Sequence, residues 1–119
     1  MVKLRNVCIS LLALSLSCCA SDTLVTGVST VYRGHYRKGF EINDFVVCGG
    51  SQRWWVTGDE TPLIKALTSP AGMVGGTVYA EVRGHLTPRG SYGHLGTYPH
   101  ELVVERVLVT RAATPQDCQ

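Results

Sequence analysis

Apolar and polar residues alternate along several stretches of this chain, and a period of two predicts β-strands. The clearest example is the run GTVYAEVRGHL at 76–86, in which Val and Ala share one face while Tyr, Glu and Arg share the other. Turn residues separate this run from four other segments that are rich in β-branched and aromatic residues. The pattern therefore predicts five strands, at 22–36, 40–48, 53–57, 76–86 and 101–111.

A short helix is predicted between the third and fourth strands. Thr61 suits the N-cap, and Pro62 suits the first helical position, where the missing backbone N–H is not needed. Apolar residues within 63–67 then share a face at helical spacing. The segment SPAG at 69–72 contains residues that end helices, so we expect the helix to stop before it.

The strand pattern also leads to three more specific predictions. The tripeptide RKG at 37–39 predicts the turn between the first two strands. In 101–111 the apolar residues fall on both faces, which is typical of a central strand covered on both sides. Trp54 and Trp55 are adjacent in the third strand, so one side chain should face the core and the other the outside.

Three strands, a helix and two strands is the order of elements in an OB-like barrel. We therefore predict an all-β fold, a five-stranded OB-like barrel with one short helix, although a β-roll or an open meander fits the same pattern. The connection TPRGSYGHLGTYPH at 87–100 occupies the place of a loop that OB-folds use for ligands. Long ordered loops of this kind often carry function.

The N-terminus has the layout of a secretory signal. Residues 1–6 contain Lys3 and Arg5 and no acid, and 7–17 are apolar or small throughout. This apolar run is shorter than the roughly 20 residues that a membrane-spanning helix needs. The sequence therefore predicts a signal peptide at 1–20 followed by a single exported domain at 21–119.

The end of the signal permits two kinds of processing. The run LSCC at 16–19 is similar to a bacterial lipobox, so either Cys18 or Cys19 is a candidate for lipidation. The alternative is ordinary cleavage after Ala20, which closes a run of small residues. Lipidation would make the protein membrane-anchored, and we expect a location in the periplasm or at the outer membrane.

The charge balance changes when the signal is set aside. The chain contains 11 basic and 9 acidic residues, and removal of Lys3 and Arg5 leaves nine of each. A neutral domain lacks the positive field that nucleic-acid binding requires, so no nucleic-acid partner is expected.

Cys48 and Cys118 are the two cysteines that lie clearly within the predicted domain. An even pair in an oxidising compartment suggests a disulfide. Alternatively, Cys48 is a small buried hydrophobic residue and Cys118 a free thiol on the tail. A two-cysteine metal site is a third possibility, but it lacks the close spacing of zinc sites.

Catalytic motifs are missing from the sequence: it contains no G-x-S-x-G, H-E-x-x-H or P-loop. We therefore expect a protein that is not an enzyme and needs no cofactor. His94 and His100 are candidate metal ligands, because they lie six residues apart in the 87–100 loop and imidazole suits copper or zinc. Solvated loop histidines are the ordinary alternative.

Aromatic residues provide a second set of candidate binding residues. The outward-facing member of the pair Trp54 and Trp55, together with Tyr92 and Tyr98, would form a platform for a peptide, a glycan or a partner protein. The alternative is an aromatic side chain that covers the edge of the barrel.

Several motifs are similar to those of small bacterial envelope lipoproteins. They are the run GFEINDFVVCG with its F-x-x-C at 45–48, the glycine-bounded strand at 78–84, and the glycine-rich loop before the last strand. Over 25–109 the chain resembles the C-terminal OB-like domain of NlpE-type outer-membrane lipoproteins, which are linked to copper tolerance and envelope stress. The resemblance implies that Cys48 is paired with Cys118. It does not extend to a second domain or a C-x-x-C motif, so the copper and sensing roles are not implied.

The sequence therefore predicts a non-enzymatic binding or structural module of the cell envelope, whose partner is an unidentified envelope protein or small ligand. The alternative hypothesis is a periplasmic copper- or zinc-handling protein that uses the loop histidines.

Overall fold

The computed structural model describes residues 24–119, so the predicted signal peptide and the lipidation candidates Cys18 and Cys19 lie outside the described residues. Within 24–119, no helix has the length and apolar character needed to cross a membrane. The elements are β1 (Thr30–Gly39), β2 (Ile42–Val47), β3 (Arg53–Gly58), α1 (Thr61–Leu67), β4 (Gly76–Leu86), a 3₁₀ turn (His94–Gly96) and β5 (Glu101–Ala112).

The five strands close into a barrel in the order β1-β2-β3-β5-β4, with β4 pairing back onto β1. The pairs are antiparallel except for β3 and β5, which run parallel. A parallel pair needs a crossover, and here α1 and β4 provide the connection. The predicted five-stranded OB-like barrel with one short helix is confirmed.

Alternate residues of the strands fill the barrel. The largest buried side chains are Trp54, Tyr36 and Phe45, each at most 1% exposed. Helix α1 adds Leu63, which is fully buried, and so packs against the barrel through its apolar face. Pro62 lies in the first turn of α1 as predicted, but the N-cap is Glu60 rather than Thr61.

Two glycines allow neighbouring strands to approach closely. A Cβ atom at Gly34 would lie 2.1 Å from the carbonyl oxygen of Val46, and one at Gly84 would lie 2.3 Å from that of Val103. Side chains at these positions would push the strands apart, which a small closed barrel does not tolerate. This requirement explains the glycine in both copies of the tripeptide Arg-Gly-His, at 33–35 and 83–85.

The predicted turn at 37–39 is wrong, because these residues belong to β1 and pair with β2 and β4. The chain reverses at Phe40 and Glu41, and Glu41 has a φ of 58°. The first strand also begins later than predicted, at Thr30. Turns usually contain Gly, Asn or Asp, so a turn that contains Phe and Glu has no local sequence signal.

The last strand is less covered than predicted. Only its first four residues pair with β3, and Val104 is the last of them. Beyond this point two register irregularities occur in the pairing with β4, and Leu108 and Val109 are exposed by 42% and 39%. The apolar character on both faces therefore does not mean that both faces are buried.

A disulfide joins Cys48, directly after β2, to Cys118 in the C-terminal tail, with Cα atoms 5.0 Å apart. The predicted pairing is confirmed. The linked residues are 70 positions apart, and on the chain-entropy model a loop of this size stabilises the fold by about 4 kcal/mol.

Candidate functional site

The loop between β4 and β5 is an ordered β-hairpin, here called the 90–99 hairpin. Tyr92 and Tyr98 exchange two backbone hydrogen bonds of 3.0 and 3.1 Å, and the N–H of Gly90 donates to the carbonyl of Pro99. The tip is the 3₁₀ turn, in which Leu95 has a φ of 55°. The long loop is therefore an ordered hairpin with its own hydrogen bonds.

His100 fixes the base of the hairpin. Its side chain is buried, and Nδ1 donates a hydrogen bond of 2.9 Å to the carbonyl of Thr87. The Thr87 hydroxyl accepts a bond of 2.8 Å from the N–H of Glu101, while the His100 carbonyl accepts one from the N–H of Trp55. The two ends of the loop are thereby tied together and to β3.

The 90–99 hairpin lies against the outer surface of β2 and β3. The ring of Tyr98 is 5.3 Å from the ring of Trp55, at an angle of 58°. Gly93 packs directly on the same indole, where a Cβ atom would approach Trp55 to 2.4 Å. Because Gly93 also has a φ of 68°, only glycine fits this contact without strain.

A carboxylate on the outward-facing side of β2 is buried by its neighbours and holds the hairpin in place. Asp44 lies opposite Trp55 in the pairing of β2 with β3, and its side chain is fully buried. Arg37 donates to both carboxylate oxygens, at 2.7 and 2.6 Å, and the Tyr98 hydroxyl donates to Oδ2 at 3.0 Å. The hydrogen bond with Asp44 raises the pKa of Arg37, and burial followed by the bond to Asp44 raises the pKa of Tyr98.

The neighbouring residue Asn43 organises the inner side of β2. Its Oδ1 accepts a bond of 2.6 Å from the Tyr36 hydroxyl, and its Nδ2 donates to the Val56 carbonyl and to Glu60. Burial raises the pKa of Tyr36, and the charge of Glu60 adds to this effect. Asn43 therefore connects the core to the start of α1.

The tip of the hairpin meets the turn between β1 and β2. His94 Nε2 lies 3.2 Å from Glu41 Oε2. The residues adjacent to this pair, Phe40 and Leu95, are the two most exposed large hydrophobic side chains among the described residues, at 89% and 84%. Each of the two loops therefore presents one apolar side chain to solvent.

The predicted aromatic residues divide into two groups. Trp54 belongs to the core, where its ring contacts Tyr32 edge-on at 5.4 Å, so it is not accessible to a ligand. Trp55 faces outward, as predicted for one of the pair, and contacts Tyr98. Tyr92 lies on the hairpin, with its hydroxyl donating to the Pro88 carbonyl.

The two histidines predicted as metal ligands have different partners. His94 pairs with Glu41, whereas His100 is buried against Thr87. Residues 24–119 contain no group of three or more His, Cys, Asp or Glu side chains arranged to hold a metal ion. A metal site formed by His94 and His100 stays a prediction and would require the hairpin to change its contacts.

A second buried carboxylate, Asp117, holds the C-terminal tail on the barrel. It accepts hydrogen bonds from His35 on β1, from Arg111 on β5, and from the backbone and hydroxyl of Thr114. Burial alone would raise the pKa of Asp117, but these hydrogen bonds outweigh it and hold the pKa well below its usual value. Thr114 and Arg111 are near Asp117 in the chain, but His35 lies 82 residues away, so sequence reasoning could not assemble the whole set.

The polar groups of the site are satisfied by one another. No buried side-chain nitrogen or oxygen within residues 24–119 lacks a hydrogen-bond partner. The buried polar groups of the site are therefore occupied within the fold.

Comparison with protein-family models, with curated proteins and with solved structures finds no match. The chain is established as a small five-stranded mixed β-barrel domain.

Proposed function

We propose that this protein is a non-enzymatic binding module of the bacterial cell envelope, anchored by a lipidated Cys18 or Cys19, which recognises a partner through the 90–99 hairpin and the adjoining surface of Trp55. The main observation in support is that hydrogen bonds hold the hairpin in one position on the barrel. A long connection is ordered by its own hydrogen bonds and by a buried charge, Asp44, and it presents the apolar side chain of Leu95 to solvent.

An ordered hairpin suits recognition, because a preorganised loop loses little conformational entropy on binding. The Asp44 network adds stiffness, since Arg37 and Tyr98 approach the carboxylate from two different elements. Binding and catalytic residues are commonly placed on loops that a rigid scaffold positions.

The envelope location rests on sequence and on the disulfide. The signal-like N-terminus supports export, and disulfides persist in oxidising compartments such as the periplasm. The resemblance to NlpE-type lipoproteins supports the same compartment and a link to envelope stress.

The experiment is in-cell chemical crosslinking followed by quantitative mass spectrometry of the co-purified envelope proteins. A variant in which residues 91–97 are replaced by a Gly/Ser linker of equal length is compared with the wild-type chain. Met73→Ser provides the control, because Met73 is exposed on the turn between α1 and β4. Loss of a specific partner in the linker variant alone supports the proposal, and identical partner sets in all three proteins overturn it.

A further inference from the structure

We propose that Asp117 is a positioning residue for the disulfide: it docks the C-terminal tail, residues 113–119, on the folded barrel before Cys118 and Cys48 are joined. Docking then selects these two thiols from the five in the chain. The hydrogen bonds of Asp117 involve neither sulfur atom, so they do not require the disulfide. The inference is independent of the partner that the hairpin binds.

The tail contains a turn of its own. The N–H of Asp117 donates to the carbonyl of Thr114 at 3.2 Å. In return, the Asp117 carboxylate accepts bonds of 2.7 and 3.0 Å from the N–H and the hydroxyl of Thr114. Bonds of this kind join residues that are close in the chain and do not depend on distant segments.

The barrel provides a prepared site for this carboxylate. His35, Tyr79 and Arg111 lie directly opposite one another on β1, β4 and β5. His35 lies 2.9 Å from one carboxylate oxygen of Asp117, and Arg111 donates to the other. The guanidinium of Arg111 stacks 3.9 Å from the ring of Tyr79, a contact that does not include the tail. We call the carboxylate and its four hydrogen bonds the Asp117 clasp.

The clasp brings the next residue of the tail to Cys48. Cys118 follows Asp117 directly, and its Cα atom lies 5.0 Å from that of Cys48, within the range that a disulfide spans. Cys48 is held in turn, because its N–H donates a bond of 2.7 Å to the carbonyl of Arg33. Arg33 and His35 belong to the same part of β1, so one strand holds both the site for Asp117 and the backbone of Cys48.

Docking should accelerate closure of the disulfide. Without the clasp, Cys118 would move on a tether of six residues beyond the end of β5, and a short flexible tether gives an effective concentration in the millimolar range. Oriented groups reach far higher effective concentrations. Selection matters because processing at Cys18 would leave Cys19 in the mature chain as a competing thiol.

The test follows oxidation of the reduced protein by oxidised glutathione. One cysteine thiolate attacks this disulfide, releases one glutathione thiolate and forms a mixed disulfide. The second cysteine thiolate displaces the other glutathione, so the protein loses two electrons and two protons, and two glutathione thiols form. The clasp acts on the second step, because only that step brings Cys48 and Cys118 together.

The exported protein is reduced under native conditions, treated with oxidised glutathione, quenched with acid and analysed by mass spectrometry with peptide mapping. We expect the wild-type protein to close without accumulating the glutathione adduct. Asp117→Asn should accumulate the adduct and slow the second step at least about tenfold, because charge-assisted hydrogen bonds are lost. Gln116→Ala, at an exposed neighbouring position, is the control and should behave as the wild type.

Hydrogen exchange measures docking in the absence of any disulfide. In Cys48→Ser/Cys118→Ser the N–H of Thr114 should stay protected, and adding Asp117→Asn should remove that protection. Tryptophan fluorescence shows whether the barrel stays folded around the buried ring of Trp54.

Closure of Asp117→Asn at the wild-type rate would overturn the inference. Rapid exchange of the Thr114 N–H in the protein without the disulfide, or loss of the barrel fold on reduction, would also overturn it. If Asp117→Asn does not fold, His35→Ala decides, because it removes one donor and leaves the turn of the tail intact. Slower closure of His35→Ala supports the inference, and unchanged closure overturns it.

Discussion

The hydroxyl of Tyr98 donates a hydrogen bond of 3.0 Å to the carboxylate of Asp44, 54 residues earlier in the chain. This bond joins the 90–99 hairpin to β2, and Arg37 holds the same carboxylate from β1. A fully buried carboxylate needs such partners, since an unpaired buried charge is costly. The hairpin is therefore part of the arrangement that satisfies Asp44, and its position depends on that charge.

Tyr98→Phe should lower the free energy of unfolding by about 1.5 kcal/mol, because it removes a hydrogen bond to a buried charged group. Tyr92→Phe is the matched control: its hydroxyl bonds the Pro88 carbonyl at the surface, so we expect a change below about 0.5 kcal/mol. Urea unfolding measures both values. Equal effects from the two variants would show that the bond to Asp44 does not hold the hairpin.

Gly93→Ala should displace the hairpin from Trp55. The new methyl group would meet the indole at 2.4 Å, and the φ of 68° adds backbone strain. Gly72→Ala is a matched control, because Gly72 has a φ of 80° but no atom within 4 Å of the added Cβ. We expect about 1 kcal/mol of destabilisation for Gly72→Ala and about 1–3 kcal/mol more for Gly93→Ala.

A change in tryptophan fluorescence should accompany Gly93→Ala and not Gly72→Ala, since only the former exposes the ring of Trp55. Equal stability and unchanged emission in the two variants would contradict the packing of the hairpin on β3.

Asp117 should make stability fall in acid. Its pKa in the folded protein lies well below the value of about 3.9 found in unfolded chains, so the ionised carboxylate stabilises the fold above that pH. This stabilisation is lost as the pH falls below about 4 towards the folded pKa. Asp117→Asn should be less stable than wild type at neutral pH and should lose less stability on acidification.

Thermal unfolding at a series of pH values between pH 7 and pH 2 measures this dependence. The loss of stability should begin near the unfolded pKa of the carboxyl group, about 4. Asp59→Asn, at an exposed carboxylate, should keep the acid dependence of the wild-type chain. A flat profile for the wild-type protein would contradict the role of Asp117.

Copper titration separates the metal-handling hypothesis from the proposed function. Because His100 is buried against Thr87 and His94 pairs with Glu41, we expect no saturable binding of copper(II) at micromolar concentration. Isothermal titration calorimetry of the mature protein measures it. Saturable binding that His94→Ala and His100→Ala both abolish would favour the metal-handling hypothesis.

The order of elements could be predicted from the sequence because alternation and turn residues are local signals. The run at 76–86 and the helix after Thr61 were predicted in this way, and strand geometry predicted that one of Trp54 and Trp55 faces inward, without saying which. The even pair of cysteines suggested a disulfide, and the resemblance to envelope lipoproteins implied the pairing of Cys48 with Cys118. Each of these depends on residues close in the chain or on composition.

The parts that were missed depend on distant residues. Asn43 and Asp44 are adjacent polar residues within an otherwise apolar strand, so they lie on opposite faces of β2. This pattern was the available signal that each face of the strand contains a polar side chain that needs a hydrogen-bond partner. Their partners Tyr36, Glu60 and Tyr98 come from other elements, so the network could not be read from spacing. The platform hypothesis placed the outward-facing tryptophan with Tyr98, but it did not include the close packing of Gly93 on the same indole.

The intact mass of the protein exported by a bacterial host, alkylated with and without prior reduction, tests the account most directly. The proposal predicts a chain that begins at Cys18 or Cys19 with a lipid adduct, in which Cys48 and Cys118 react only after reduction. A chain that retains residues 1–17, carries no lipid and alkylates at Cys48 and Cys118 without reduction would contradict it.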